Sequence, residues 1–309
     1  MALSIVKENR LGISLMVASM ALFICNDALV KHVGETMSIA QLIFLRGLGA
    51  TALIGAAVLA TGAWRHWRGM FDRKVVIRNS IDCAGTFLYQ LGLQHLPLAN
   101  ITAINLAVPL VLTVLAVVVL RETVGWRRWS AIMVGFAGVM MVVQPAAAGF
   151  NWFALVALFA TSLHASRDLI TRRIDRAIPT LLVTLCNAII ITVTAGAYEV
   201  TQGWQPMPLD SFLYLMLASA LLSGGYWLVI ECMRHGELSV VAPFRYVAIV
   251  WALLLGYLVW GDVPNLLAMV GIVLLVGSGL YILHRERLRA RQAAAEPVVA
   301  EGLTEPAAR

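Results

Sequence analysis

Charge is scarce in this chain. Asp, Glu, Lys and Arg make up 13% of its 309 residues, about half the ~25% of a typical soluble domain. Hydrophobic residues fill 60% and the mean hydropathy is +0.83. Too few polar residues remain to cover a surface facing water. That excludes a soluble enzyme, a nucleic-acid-binding domain and a disordered protein. Cysteine is sparse too. Cys25, Cys83, Cys186 and Cys232 lie in apolar runs without paired spacing, so neither a zinc site nor a redox motif is indicated. The patterns G-x-x-x-x-G-K-[ST], H-E-x-x-H and G-x-S-x-G are missing. ATP-driven work, metalloprotease chemistry and serine hydrolysis within the chain are therefore not expected. The histidines are scattered and mostly near span ends, so no metal cluster and no cofactor is expected.

Long hydrophobic runs are what the chain has instead. A helix needs about 20 mainly apolar residues to cross the ~30 Å hydrocarbon core. That ruler predicts ten spans, at residues 11–31, 39–61, 75–95, 98–120, 128–144, 150–172, 177–200, 210–233, 239–260 and 264–284. The runs are continuous rather than alternating, which excludes a β-barrel. The first run carries Asn26 and Asp27 and lacks a convincing cleavage site, so it is read as a retained span rather than a signal peptide. The expected fold is thus an all-α integral membrane protein of ten transmembrane helices.

Ten spans put both ends on one side, and the basic residues say which. Eighteen of the 23 lysines and arginines fall in residues 1–10, in the loops after spans 2, 4, 6 and 8, and in the tail. The opposite loops carry none, and Lys31, Arg46, Arg78, Arg167 and Arg245 lie within spans. The positive-inside rule predicts cytoplasmic termini, with 1–10 as a short cytoplasmic segment and 285–309, ending in an Ala- and Glu-rich stretch, as a disordered cytoplasmic tail.

Ten spans divide into two units of five, residues 11–144 and 150–284, and an odd number inverts the second unit. Support in the residues is thin. An offset of 140 aligns Leu98 with Leu238, Asn105 with Arg245 and Glu122 with Asp262. Inverted repeats are a common build of secondary transporters, with the substrate site at the repeat interface near mid-membrane.

Four stretches then resemble a known family. They are Asn26-Asp27-Ala28-Leu29-Val30-Lys31; Phe44-Leu45-Arg46-Gly47; Leu96-Pro97-Leu98-Ala99 with Pro109 and Leu120-Arg121-Glu122; and the run Leu238 to Tyr246 with Gly256 and Gly261-Asp262. Their order and spacing are similar to those of the drug/metabolite transporter superfamily, in its ten-span branch built from two EamA domains. The resemblance covers about residues 11–284. It implies a secondary transporter of a small organic metabolite, working by alternating access in the cell inner membrane. Members of similar pattern are assigned to riboflavin or S-adenosylmethionine uptake, and others export amino acids or drugs. Riboflavin, or a similar polar ring-containing metabolite, is the expected substrate. Export of amino acids or of cationic or aromatic drugs, with proton coupling as an option, is the alternative; a channel or an intramembrane enzyme is remote. The partners expected are the solute and the lipid bilayer, without nucleic acid, in a monomer or homodimer.

Ionisable groups in a bilayer are costly and should face a cavity or a partner. Asp27 and Lys31 share a helix face at i,i+4 and can pair, either as an outer gate with Arg46 or as a static ion pair with Lys31 snorkelling. Arg46 is deeper and is expected in the site or gate. Arg245 and Tyr246 follow Pro243, where a kink can aim them at a cavity, or Arg245 pairs with Glu231. Asn105 and Pro109 are expected in the site from span 4, with Asn105 serving a substrate or gluing helices. Glu231 is the candidate for proton coupling, or an interfacial acid balancing Arg234 or Arg245. Arg167-Asp168 and Arg78/Asp82 read as ion pairs toward the cytoplasmic side. Phe44, Phe87, Tyr89, Trp227 and Trp251 are expected either in the cavity wall or facing lipid.

Overall fold

The computed structural model describes residues 2–121, 125–144, 150–175, 177–235 and 238–302. Glu122, Arg176 and the end of the tail, 303–309, lie outside the described residues. Among the described residues the regular structure is entirely helical. The first half of the chain forms α1 (Ala2–Val33), α2 (Ile39–Ala60), α3 (Arg73–His95), α4 (Leu98–Asn105), α5 (Val108–Leu120) and α6 (Trp126–Val143). The second half forms α7 (Phe153–Thr171), α8 (Thr180–Gln202), α9 (Leu209–His235), α10 (Leu238–Val241), α11 (Ala248–Trp260) and α12 (Leu266–Gly302). Two 3₁₀ stretches, Ala63–Phe71 and Ala242–Val247, link α2 to α3 and α10 to α11. A helix satisfies its own backbone hydrogen bonds, which is why hydrocarbon-embedded sequence adopts it. Residues 285–302 continue α12 as helix, where the composition predicts a disordered tail.

Among the described residues, eight segments are long and apolar enough to cross a membrane. The two expected spans that fall short are α3, which holds Arg78, Asn79 and Asp82, and α6, which opens on Trp-Arg-Arg-Trp. Each lies along a helix that does qualify: α3 runs along α7, and α6 along α12. Large apolar side chains such as Leu59, Val118, Met133, Trp227 and Leu258 stay exposed, as lipid-facing residues of a membrane bundle do.

The two halves are interleaved. Helix α1 packs on α9, α2 on α8, α3 on α7 and α6 on α12. All four pairs run antiparallel. Ser19 donates to the Gly225 carbonyl while His32 meets Tyr214. Ser38 donates to Glu199 while Gly47 abuts Thr192. Arg78 reaches Thr171 while Gly92 abuts Ala157. Gly135 abuts Ser278 while Gly138 abuts Gly271.

Two spans are broken near their middles. Pro109 has no N–H, so it cannot continue the i→i−4 ladder from Asn105. The chain tightens instead, with Ala107 donating to the Ile104 carbonyl at 3.1 Å, and α5 restarts at Val108. Between α10 and α11 the break is the 3₁₀ stretch that contains Pro243. Both restarted helices end in a left-handed residue, Arg121 at φ 56° and Gly261 at φ 68°.

Where α6 crosses α12 the backbones touch. A Cβ on Gly138 would sit 2.6 Å from the Gly271 carbonyl oxygen, and one on Gly271 equally close to that of Gly138. Small residues are what permit such an approach between membrane helices. Gly138→Val or Gly271→Val should therefore lower the thermal unfolding midpoint in detergent, by about 1–3 kcal/mol of overpacking. Gly277→Ala, whose Cβ meets nothing within 4 Å, should leave the midpoint in place.

Candidate functional site

A cavity of about 420 Å³ opens where the helix pairs diverge, within the ~300–1,000 Å³ range of small-molecule sites. Its wall takes residues from α1, α2, α3, the α4–α5 break, α7, α8, α9 and the second 3₁₀ stretch. Four arginines and three aspartates line it: Arg46, Arg78, Arg167, Arg245, Asp27, Asp82 and Asp168. Their formal charges leave one positive charge in excess.

The first cluster joins α1, α2 and α3. Asp27 accepts a hydrogen bond from the Tyr89 hydroxyl at 2.8 Å and from the Asn26 amide at 2.9 Å. Arg46, on α2 and buried, lies within electrostatic reach of Asp27. With its oxygen turned toward the guanidinium, the Gln90 amide accepts from Arg46 at 3.1 and 3.2 Å. The second cluster joins α3 and α7. Asp82 accepts from Arg167 at 2.6 Å and from Arg78 at 3.4 Å. Arg167 also donates to Asp168 at 2.9 Å. Helix geometry explains the grouping: Arg78, Asp82 and Tyr89 recur at intervals of four and seven, one face of α3. Between the clusters, His164 sits with Nδ1 3.2 Å from the Asn105 side-chain oxygen.

Most of the site residues expected from sequence meet in this cavity: Asp27, Arg46, Asn105, Pro109, Arg245 and Tyr246 all line it. Lys31 does not. Its ammonium is buried and donates to the carbonyls of Leu93 at 2.9 Å and Leu96 at 2.6 Å. The i,i+4 pairing of Asp27 with Lys31, and the alternative of a snorkelling lysine, are both corrected. The end of α3 leaves carbonyls without intrahelical donors, and they capture the ammonium. Glu231 is not in the cavity wall either; its carboxylate lies 3.6 Å from His235, one turn along α9.

Other wall residues were assigned elsewhere by sequence or missed. Arg78, Asp82, Arg167 and Asp168 read as ion pairs toward the cytoplasmic side, although charges inside a span are themselves a signal of a cavity. Gln90, His164, Asn187 and Tyr226 had no signal beyond being polar within apolar runs. Among the aromatics, Tyr89 reaches the wall, but Trp227 is 62% exposed on the outside. Phe44 packs edge-on against Trp204 instead. Which face of a helix points inward depends on its neighbours, and composition does not carry that.

Membrane-length helices around a charged cavity define a class, the polytopic membrane protein that can hold a polar solute within the bilayer. The chain belongs to the EamA-like transporter family, whose model matches residues 10–144 and 151–283, in the drug/metabolite transporter superfamily. It is similar to the S-adenosylmethionine uptake transporter of Rickettsia bellii, 22% identical over 281 residues, covering 91% of this chain and 96% of that one. It is 26% identical over 254 residues to the riboflavin transporter of Rhizobium johnstonii, covering 81% and 80%. The pseudopaline exporter of Pseudomonas aeruginosa is 23% identical over 266 residues, covering 86% and 93%. A solved crystal structure superposes with a TM-score of 0.62 at 18% identity, covering 90% of this chain and 98% of its own, so the fold is shared.

Asp82 is the bridge on which the second cluster depends. Asp82→Asn should destabilise the protein by about 3–5 kcal/mol, because it strips a buried carboxylate from two guanidinium groups. The double change Asp82→Asn with Arg167→Gln should recover part of that loss, since fewer charges are stranded. Chemical unfolding of both variants in detergent measures the two effects.

Proposed function

We propose that this protein is a secondary carrier that binds a small polar metabolite in the central cavity and passes it across the cell inner membrane by alternating access. Ten helices, arranged as two inverted five-helix repeats with cytoplasmic termini, would form it. The helix boundaries support the repeat. An offset of 140 residues carries α5 onto α11 at both ends, Leu98 of α4 onto Leu238 of α10, and the start of α6 onto the start of α12. The same offset carries the left-handed Arg121 onto Gly261. The packing pairs support it too, since exchanging the halves maps α1–α9 onto α7–α3 and returns α2–α8 and α6–α12 to themselves.

The observation that carries the substrate reading is a wall with charges of both signs, mostly held in fixed pairs, beside tyrosines. Such a wall suits an ionised, ring-bearing metabolite, and of the solutes in the relatives' names S-adenosylmethionine matches it best. It has a carboxylate, an ammonium and a sulfonium on a ribosyl adenine. Riboflavin is the second reading, favoured by the Tyr89–His164 ring pair at 5.9 Å and by the amides in the wall. The carrier has no nucleotide site by sequence, so a solute gradient, exchange or protons would supply the energy.

Two experiments test this. Proteoliposomes loaded with unlabelled S-adenosylmethionine should accumulate the labelled compound by counterflow, more readily than riboflavin-loaded vesicles accumulate riboflavin. Counterflow of neither sinks the substrate reading. On a cysteine-free background, His66→Cys should resist a membrane-impermeant thiol reagent in intact cells while Pro206→Cys reacts. The opposite pattern would refute the orientation.

A further inference from the structure

The cavity wall leaves one charge over, and its position is specific. Arg78 and Arg167 are matched by Asp82 and Asp168 through bonds of 2.6–3.4 Å. Among the described residues Arg46 makes no ion pair within 4 Å, but its guanidinium is held by the Gln90 amide oxygen. The Arg245 guanidinium has no hydrogen-bond or ion-pair partner among the described residues. It stands on the 3₁₀ stretch where the span is interrupted, exposed, in the wall beside Tyr246 and Ala248. A guanidinium open to water costs little. The same group enclosed without a partner costs several kcal/mol. A carrier that closes over its solute must enclose this one.

A second observation also points to an absent ligand. The Asn26 side-chain oxygen is buried without a partner, in a residue 2% exposed that lines the same cavity. Its amide nitrogen is already committed to Asp27. The Asn187 side-chain oxygen is equally unpartnered, in the same wall. Buried acceptors in native proteins are normally satisfied. The cavity therefore presents one unmatched cation and two open amide oxygens, with the Thr102 hydroxyl also unpartnered in its wall.

We propose that Arg245 anchors a carboxylate of the transported solute, and that this contact selects carboxylate-bearing solutes over otherwise identical ones. This rests on the carrier reading. The planar guanidinium offers parallel donors that match a carboxylate's two oxygens. Charge accounting favours that group over a phosphate. At the guanidinium itself one carboxylate balances the single charge of Arg245, whereas a phosphate dianion exceeds it. The open amide oxygens then take N–H groups from the rest of the solute.

The test uses full-length protein in proteoliposomes, with two probes that differ only in the carboxylate: S-adenosylmethionine and its decarboxylated form. Each is measured as an inhibitor of counterflow and as a stabiliser in thermal unfolding, with riboflavin as a neutral comparison. Wild-type protein should prefer the carboxylate form by about tenfold or more. Arg245→Gln should bind both probes alike, at the level of the decarboxylated form in the wild type. Arg245→Lys should restore part of the preference. A preference that survives in Arg245→Gln overturns the proposal, and so does an equal loss for both probes. Wild-type protein that fails to distinguish the probes overturns it without any variant, which covers an Arg245→Gln chain that does not fold. Exchange of riboflavin with no binding of either charged probe overturns the anchor and leaves the carrier standing. No exchange of any probe counts against both.

Discussion

Hydrocarbon offers no hydrogen bonds, and that constraint orders this molecule from its helices to its cavity. Backbone groups are satisfied within helices. Side-chain charges are satisfied by one another. Asp82 is the clearest case: a buried carboxylate shared between an arginine on its own helix and one on α7. It ties the first half of the chain to the second. Lys31 obeys the same rule with different partners, closing the open carbonyls at the end of α3.

The places where the helices fail to satisfy themselves are the places where the cavity forms. Pro109 removes a donor from one span, and the second span tightens into a 3₁₀ turn around Pro243. Irregular backbone at membrane depth is tolerated where it borders a cavity rather than lipid. Asn105 and Arg245, each at such an interruption, come to line one space. The site thus follows from two local defects that face each other across interleaved halves.

Much of this was legible in advance. The apolar runs mark the membrane-length segments to within a few residues, and Pro109 and Pro243 flag the interruptions. Asp27, Arg46 and Arg245 stand out because charge inside an apolar run demands an explanation. What sequence spacing misjudged is partnership. Asp27 and Lys31 sit one turn apart, an arrangement that favours pairing on an isolated helix. Yet Tyr89 and Asn26 take the carboxylate while the α3 terminus takes the ammonium. Glu231, expected as a proton-coupling acid or an interfacial one, lies beside His235 outside the wall. The Arg78–Asp82 contact was readable at i,i+4, but Arg167 completing it from 85 residues away was not.

By itself, then, the sequence determined that the chain is helical and membrane-embedded, where its helices start and break, and which charges would need partners. Those properties follow from local composition and from the mismatch between polar groups and lipid. Only the tertiary structure decided which partner each charge takes, which faces turn inward, and that Arg245, among the described arginines of the cavity wall, is the one whose guanidinium no side chain holds. Such matches depend on contacts between helices distant in the chain, and no periodicity within one helix encodes its neighbour.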